Sequence, residues 1–96
     1  MTKETSETKF ILNCEAAASI HENGIVILHL GNGRVYAANE TGARIWSRIQ
    51  QQAGFNTIAD EISTEYQIRR TTASEHLLSF VAELERLSLI QREESR

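Results

Sequence analysis

The sequence predicts an α+β domain in which a three-stranded antiparallel β-meander is followed by a three-helix bundle, related to the winged helix-turn-helix. Three observations lead there. β-branched and apolar runs between Ala16 and Ala38 are punctuated by Asn23-Gly24 and Gly31-Asn32-Gly33. After Asn39 the apolar residues switch to helical spacing, and capping sequences divide that half into three. The chain has 96 residues, enough for one domain with a modest core.

The β half comes first. Asn23-Gly24 marks a hairpin, because both residues tolerate positive φ. It separates a strand over Ala17–His21 from one over Ile25–Leu30. The second run is almost wholly apolar, which predicts a central strand covered on much of both faces. After the Gly31-Asn32-Gly33 turn, Arg34–Ala38 forms the third strand. A meander leaves this strand at the edge of the sheet. Arg34 and Tyr36 then share one face, Val35 and Ala37 the other.

In the α half, Asn39 caps the first helix and Glu40 suits its first turn. Gly42, Ile45, Trp46 and Ile49 fall on one face, with Trp46 in the core, and the helix ends near Ala53-Gly54. Thr57-Ile58-Ala59-Asp60 resembles a capping box and opens a short helix carrying Ile58, Ile62 and Tyr66. Thr72-Ala73-Ser74-Glu75 opens the longest helix, with a stripe of Ala73, Leu77, Phe80, Val81, Leu84 and Leu87. Leu89-Ile90 closes the core. Residues 1–15 read as a polar N-terminal tail, 16–90 as the domain and 91–96 as a C-terminal tail.

Composition excludes several functions. The formal net charge of −3 gives no bulk attraction to nucleic acid or anionic lipid. One cysteine, Cys14, excludes an intramolecular disulfide and fits a reducing compartment. No apolar run approaches the ~20 residues of a membrane span, and the first residues are polar, so a cytoplasmic protein is expected. His21, His29 and His76 match no zinc spacing, and no metal or cofactor is expected. No nucleophile elbow or activated thiol is evident, so no enzyme activity is expected.

The run Gly33-Arg34-Val35-Tyr36-Ala37-Ala38-Asn39-Glu40-Thr41-Gly42-Ala43-Arg44-Ile45-Trp46 resembles the signature of the PqqD-like family. The likeness extends from about Ile20 to Ile90 through the second and third helices. Two positions depart from it: Gly42-Ala43 replaces a usual Ala-Ala, and His76 stands where many members carry Asp. The resemblance implies a recognition element for ribosomally made, later modified peptides. Such an element binds the leader of a precursor peptide as an added strand. A modifying enzyme, such as a radical-SAM protein or a peptidase, then acts on the core segment. It implies a peptide site at the backbone of Arg34, Val35, Tyr36 and Ala37, with Arg70, Ala73, His76, Leu77 and Phe80 on the helix side.

The residues alone support one part of this reading. An edge strand offers unpaired N–H and C=O groups, and strand addition uses them for affinity. Whether Val35 or Tyr36 is the outward donor is left open at this level. The rival reading is a winged-helix DNA-binding regulator with Arg69-Arg70 ahead of its recognition helix. Glu75, Glu83 and Glu85 on that helix oppose it, because DNA-reading helices sit in a basic field.

Overall fold

A computed structural model describes residues 8–93. Its strands are β1 (Lys9–Leu12), β2 (Ala16–His21), β3 (Gly24–His29), β4 (Val35–Asn39) and β5 (Ile90–Glu93); its helices are α1 (Glu40–Gln50), α2 (Phe55–Tyr66) and α3 (Arg70–Arg86). β2, β3 and β4 form an antiparallel meander in that order, and β1 pairs with β5 in a separate two-stranded ribbon. The expected α+β architecture is therefore present, with one addition.

That addition corrects the reading of the chain ends. Between the expected tails, Lys9 pairs with Glu93, Phe10 with Arg92 and Ile11 with Gln91, and Leu12 pairs with Ile90 at the end of the expected domain. Phe10 and Ile90 are buried in the common core. Asn13 N–H bonds to Leu89 O at 2.9 Å, and Phe55 N–H bonds to Thr8 O at 2.7 Å. The ribbon joins segments some eighty residues apart in sequence, so neither segment reveals it alone. The rest of the two expected tails, residues 1–7 and 94–96, lies outside the described residues.

All three helices lie on one face of the meander. Ile25, Ile27 and His29 point into the core, whereas Val26 on the opposite face is exposed. The expectation that this central strand is covered on both faces is thus corrected: one face is open. The strand also ends at His29, and Leu30 is exposed in the turn. The first hairpin turn is Glu22-Asn23, one residue earlier than the sequence signal, because Gly24 already belongs to β3. Gly24 sits against the Ala38 carbonyl oxygen, where a Cβ could not fit.

Asn39 caps α1 as expected: Gly42 N–H donates to its Oδ1 at 3.0 Å. Gly42, Ile45, Trp46 and Ile49 are buried beneath it. α2 and α3 both start two residues before the expected capping boxes. Gly54 and Arg69 occupy their N-cap positions, without a side-chain cap hydrogen bond. Phe55 at the head of α2 and Ile68 just ahead of α3 are partly buried against the core, which favours these starts over a cap worth about 1 kcal/mol. Ala73, Leu77, Val81 and Leu84 form the inner stripe of α3 against Ile58 and Ile62 of α2.

Candidate functional site: the free edge of β4 and its cleft

The outward face of β4 follows from its register. His29 N–H donates to Arg34 O at 2.8 Å, so residues 29 and 34 form a hydrogen-bonded pair. Antiparallel ladders alternate. Ile27–Tyr36 and Ile25–Ala38 are therefore the next bonded pairs, and Leu28–Val35 and Val26–Ala37 the unbonded ones. Val35 and Ala37 consequently turn their N–H and C=O groups away from β3. No strand pairs with that side of β4 among the described residues. Val35 is the outward donor, and Tyr36 is not.

Side chains alternate with the same period. Tyr36 and Ala38 face the helices, opposite Ile27 and Ile25. Between them and α3 runs a cleft of about 620 Å³. Its floor is Tyr36, Ala38, Gly42, Ile45 and Phe80; Asn39, Thr41, His76, Ser79 and Glu83 form its polar rim. The Tyr36 and Phe80 rings lie 6.0 Å apart at a 53° tilt, a favourable aromatic geometry. Gly42 sets the depth of the floor. A Cβ there would stand 2.6 Å from Ala38 Cβ and 3.1 Å from Phe80 Cε1, so only glycine lets these three elements close together.

The electrostatics of the cleft are acidic at one end. Burial, and then the negative charge of Glu83, push the Tyr36 hydroxyl above its ordinary pKa. The phenol is therefore neutral at physiological pH and remains a hydrogen-bond donor. Glu83 is itself held ionised, below the ordinary carboxylate range, by a hydrogen bond from Arg86.

The nine candidate residues separate into four groups. Val35 and Ala37 offer outward backbone groups, and Tyr36, His76 and Phe80 line the cleft. Arg34 lies just before β4, exposed, with its carbonyl turned inward to His29. The other three are corrected. Ala73 and Leu77 are completely buried and cannot touch a ligand. Arg70 points toward α2, where Asp60 Oδ1 lies 2.5 Å from its Nε and Asn56 Oδ1 3.1 Å from an Nη, and it also bonds Ser74. On a helix, residues 73 and 77 neighbour 76 and 80 at spacings of three and four, so they share one broad face, with 73 and 77 at its buried margin and 76, 80 and 83 toward the cleft. Sequence reasoning missed Glu83, Ser79 and Gly42, although the spacing from His76 to Phe80 and Glu83 was there to be read.

The fold and the cleft define a winged-helix-like domain with an open strand edge. The chain belongs to the family described as Coenzyme PQQ synthesis protein D (PqqD), whose model matches residues 24–90. Two solved structures share the fold. One is TbiB1 in complex with the TbiA(beta) leader peptide, with a TM-score of 0.80, 26% identity, and 84% of this chain and 94% of that one covered. The other is lasso peptide synthetase B1 complexed with the leader peptide, with a TM-score of 0.79, 24% identity, and coverage of 86% and 98%. No curated protein sequence matches the chain. No helix among the described residues is long and apolar enough to cross a membrane.

Proposed function

We propose that this protein binds the leader segment of a ribosomally synthesised precursor peptide as an added strand on β4 and presents it to a modifying enzyme. The observation that carries the reading is the free edge at Val35 and Ala37 beside the Tyr36–Phe80 cleft. Backbone pairing would supply affinity, and the cleft would select the leader side chain that points toward α3. Membership of the PqqD family and the leader-bound state of TbiB1 support it. The partner enzyme is of the radical-SAM or peptidase kind, and the complex works in the cytoplasm, where the precursor is made. The protein itself does no chemistry. The functional unit extends past 16–90, because the β1–β5 ribbon shares its core.

The test is titration of a fluorescently labelled leader peptide, taken from any short precursor reading frame found beside this gene, into the purified chain. Saturable binding that weakens on Phe80→Ala and leaves Arg70→Ala unaffected is expected. Equal affinity for a scrambled leader would overturn the reading. Trp46 is buried in the core and is a poor reporter, so the label belongs on the peptide.

A further inference from the structure

The meander has a second free edge, and its chemistry differs from that of β4. β2 reads Ala-Ala-Ala-Ser-Ile-His, without proline, aspartate, glutamate, lysine or arginine, and five of its six side chains are exposed. Sheet edges of this kind are normally blunted by charge, proline or a covering element. Ile20, on the helix-facing side opposite Ile25, is left 58% exposed at the rim.

The register determines what β2 offers. Leu30 N–H donates to Glu15 O at 2.8 Å, so alternation makes Ala17–Leu28, Ser19–Val26 and His21–Gly24 the hydrogen-bonded pairs with β3. Ala16, Ala18 and Ile20 therefore turn their backbone groups outward. Ala16 N–H is already taken by Asn13 O at 2.9 Å. Among the described residues, the outward N–H groups not so occupied belong to Ala18 and Ile20.

We propose that β2 is a self-association edge that pairs antiparallel with β2 of a second copy of this chain, about a twofold axis at Ser19. In that register Ala18 of each copy lies opposite Ile20 of the other, and every outward N–H of Ala18 and Ile20 meets a carbonyl. Shifting the twofold to Ala18 would set the occupied Ala16 N–H opposite Ile20 and lose a donor on each copy. A second copy suits the strand because an uncharged edge meets its own image without like-charge contact, and an isologous contact closes at two subunits. Each exposed Ile20 gains apolar cover beside Ala18. The product is a continuous six-stranded sheet whose two outer edges are both β4, so neither β4 edge is consumed. One strand pair is small beside the ~1,600 Å² of a standard interface, so the dimer is weak and concentration-dependent.

Sedimentation velocity of the full chain from micromolar to millimolar concentration tests this. The mass should rise from 10.8 kDa toward twice that value, and Ile20→Lys should hold it at the monomer. The register is tested by cross-linking in a Cys14→Ser background. Residues facing across an unbonded pair lie about 4.5 Å apart at Cα, within disulfide reach. Ser19→Cys should then give an oxidised dimer several-fold faster than Ala17→Cys, whose counterpart is His21. A monomeric mass throughout, or equal rates for the two cysteines, overturns the proposal. So does dissociation of the dimer on adding leader peptide, which would place the second copy on β4.

Discussion

Proline scanning of β4 separates the ligand edge from the structural edge. In Val35→Pro the lost N–H points outward and has no partner among the described residues, and the residue is exposed at the start of an edge strand, where proline is tolerated. The fold should lose no more than about 1 kcal/mol. A ligand strand would lose a hydrogen bond worth roughly 0.5–1.5 kcal/mol, and the ring would hold the ligand off the neighbouring position as well. Leader affinity should therefore fall by about tenfold or more, since ~1.4 kcal/mol is a factor of ten. Tyr36→Pro behaves in the opposite way. Its N–H faces Ile27 in a bonded pair. Removing it strands a carbonyl of the central strand at a cost of about 1–3 kcal/mol, and the contact with Phe80 goes too, worth another ~0.5–1.5 kcal/mol. Against a total stability of roughly 5–15 kcal/mol, this is a large loss. Urea denaturation followed by circular dichroism measures the fold, and fluorescence polarisation of labelled leader measures binding. A Val35→Pro protein that is fully folded and binds leader at wild-type affinity would refute the strand-addition reasoning. A Tyr36→Pro protein of wild-type stability would refute the register.

Other outcomes follow from single contacts. Phe10→Ala should destabilise the fold by about 3–5 kcal/mol in urea denaturation, because the ring is buried in the common core, while Lys9→Ala beside it should change stability by less than about 0.5 kcal/mol. Gly42→Ala gains about 1 kcal/mol of helix propensity but forces a Cβ against Ala38 and Phe80; the crowding should outweigh the gain, giving a net loss of up to ~2 kcal/mol and a larger proportional loss of leader affinity. The raised pKa of Tyr36 means that the folded state holds the phenolic proton more tightly than the unfolded state. Its contribution to stability should be constant below about pH 10 and decline as pH rises through the folded value, and Tyr36→Phe should remove that component of the alkaline decline.

The meander, the capping of α1 by Asn39 and the inner stripe of α3 were legible because each is written in local pattern. Period-two runs, turn residues and helical spacing are all near-neighbour signals. The β1–β5 ribbon was not legible, since Lys-Phe-Ile-Leu and Ile-Gln-Arg-Glu are each too short to declare a strand and become one only on meeting. The open face of β3 was missed for a related reason. An apolar run signals burial but not how many layers supply it, and here all the helices pack on one side. At the site, the resemblance carried the choice of β4 but counted buried core residues of α3 among the contacts. Ala73 and Leu77 were chosen with His76 and Phe80, yet the boundary between core and cleft runs between Leu77 and Phe80. A pattern that marks an apolar stripe cannot show which margin of the stripe a neighbouring strand leaves uncovered.

The junction between β4 and α1 explains why this edge suits a ligand strand. Asn39 is at once the last residue of β4 and the N-cap of α1, so no linker separates edge from helix. Its side chain fixes Gly42, and Gly42 in turn admits Phe80 and Ala38 to the same point. The width of the cleft is thus set by backbone and by a missing Cβ rather than by adjustable side chains. Such a groove exists before the ligand arrives, so little ordering of the domain opposes binding. In the proposed strand addition the ordering cost would then fall on the peptide, which would become a strand only on meeting Val35 and Ala37. A backbone ladder accepts any extended sequence free of proline at its donor positions. On the proposed mode of binding, discrimination between leaders would come from the side chain that rests against the Tyr36–Phe80 pair, and from its neighbours along the rim from His76 to Glu83.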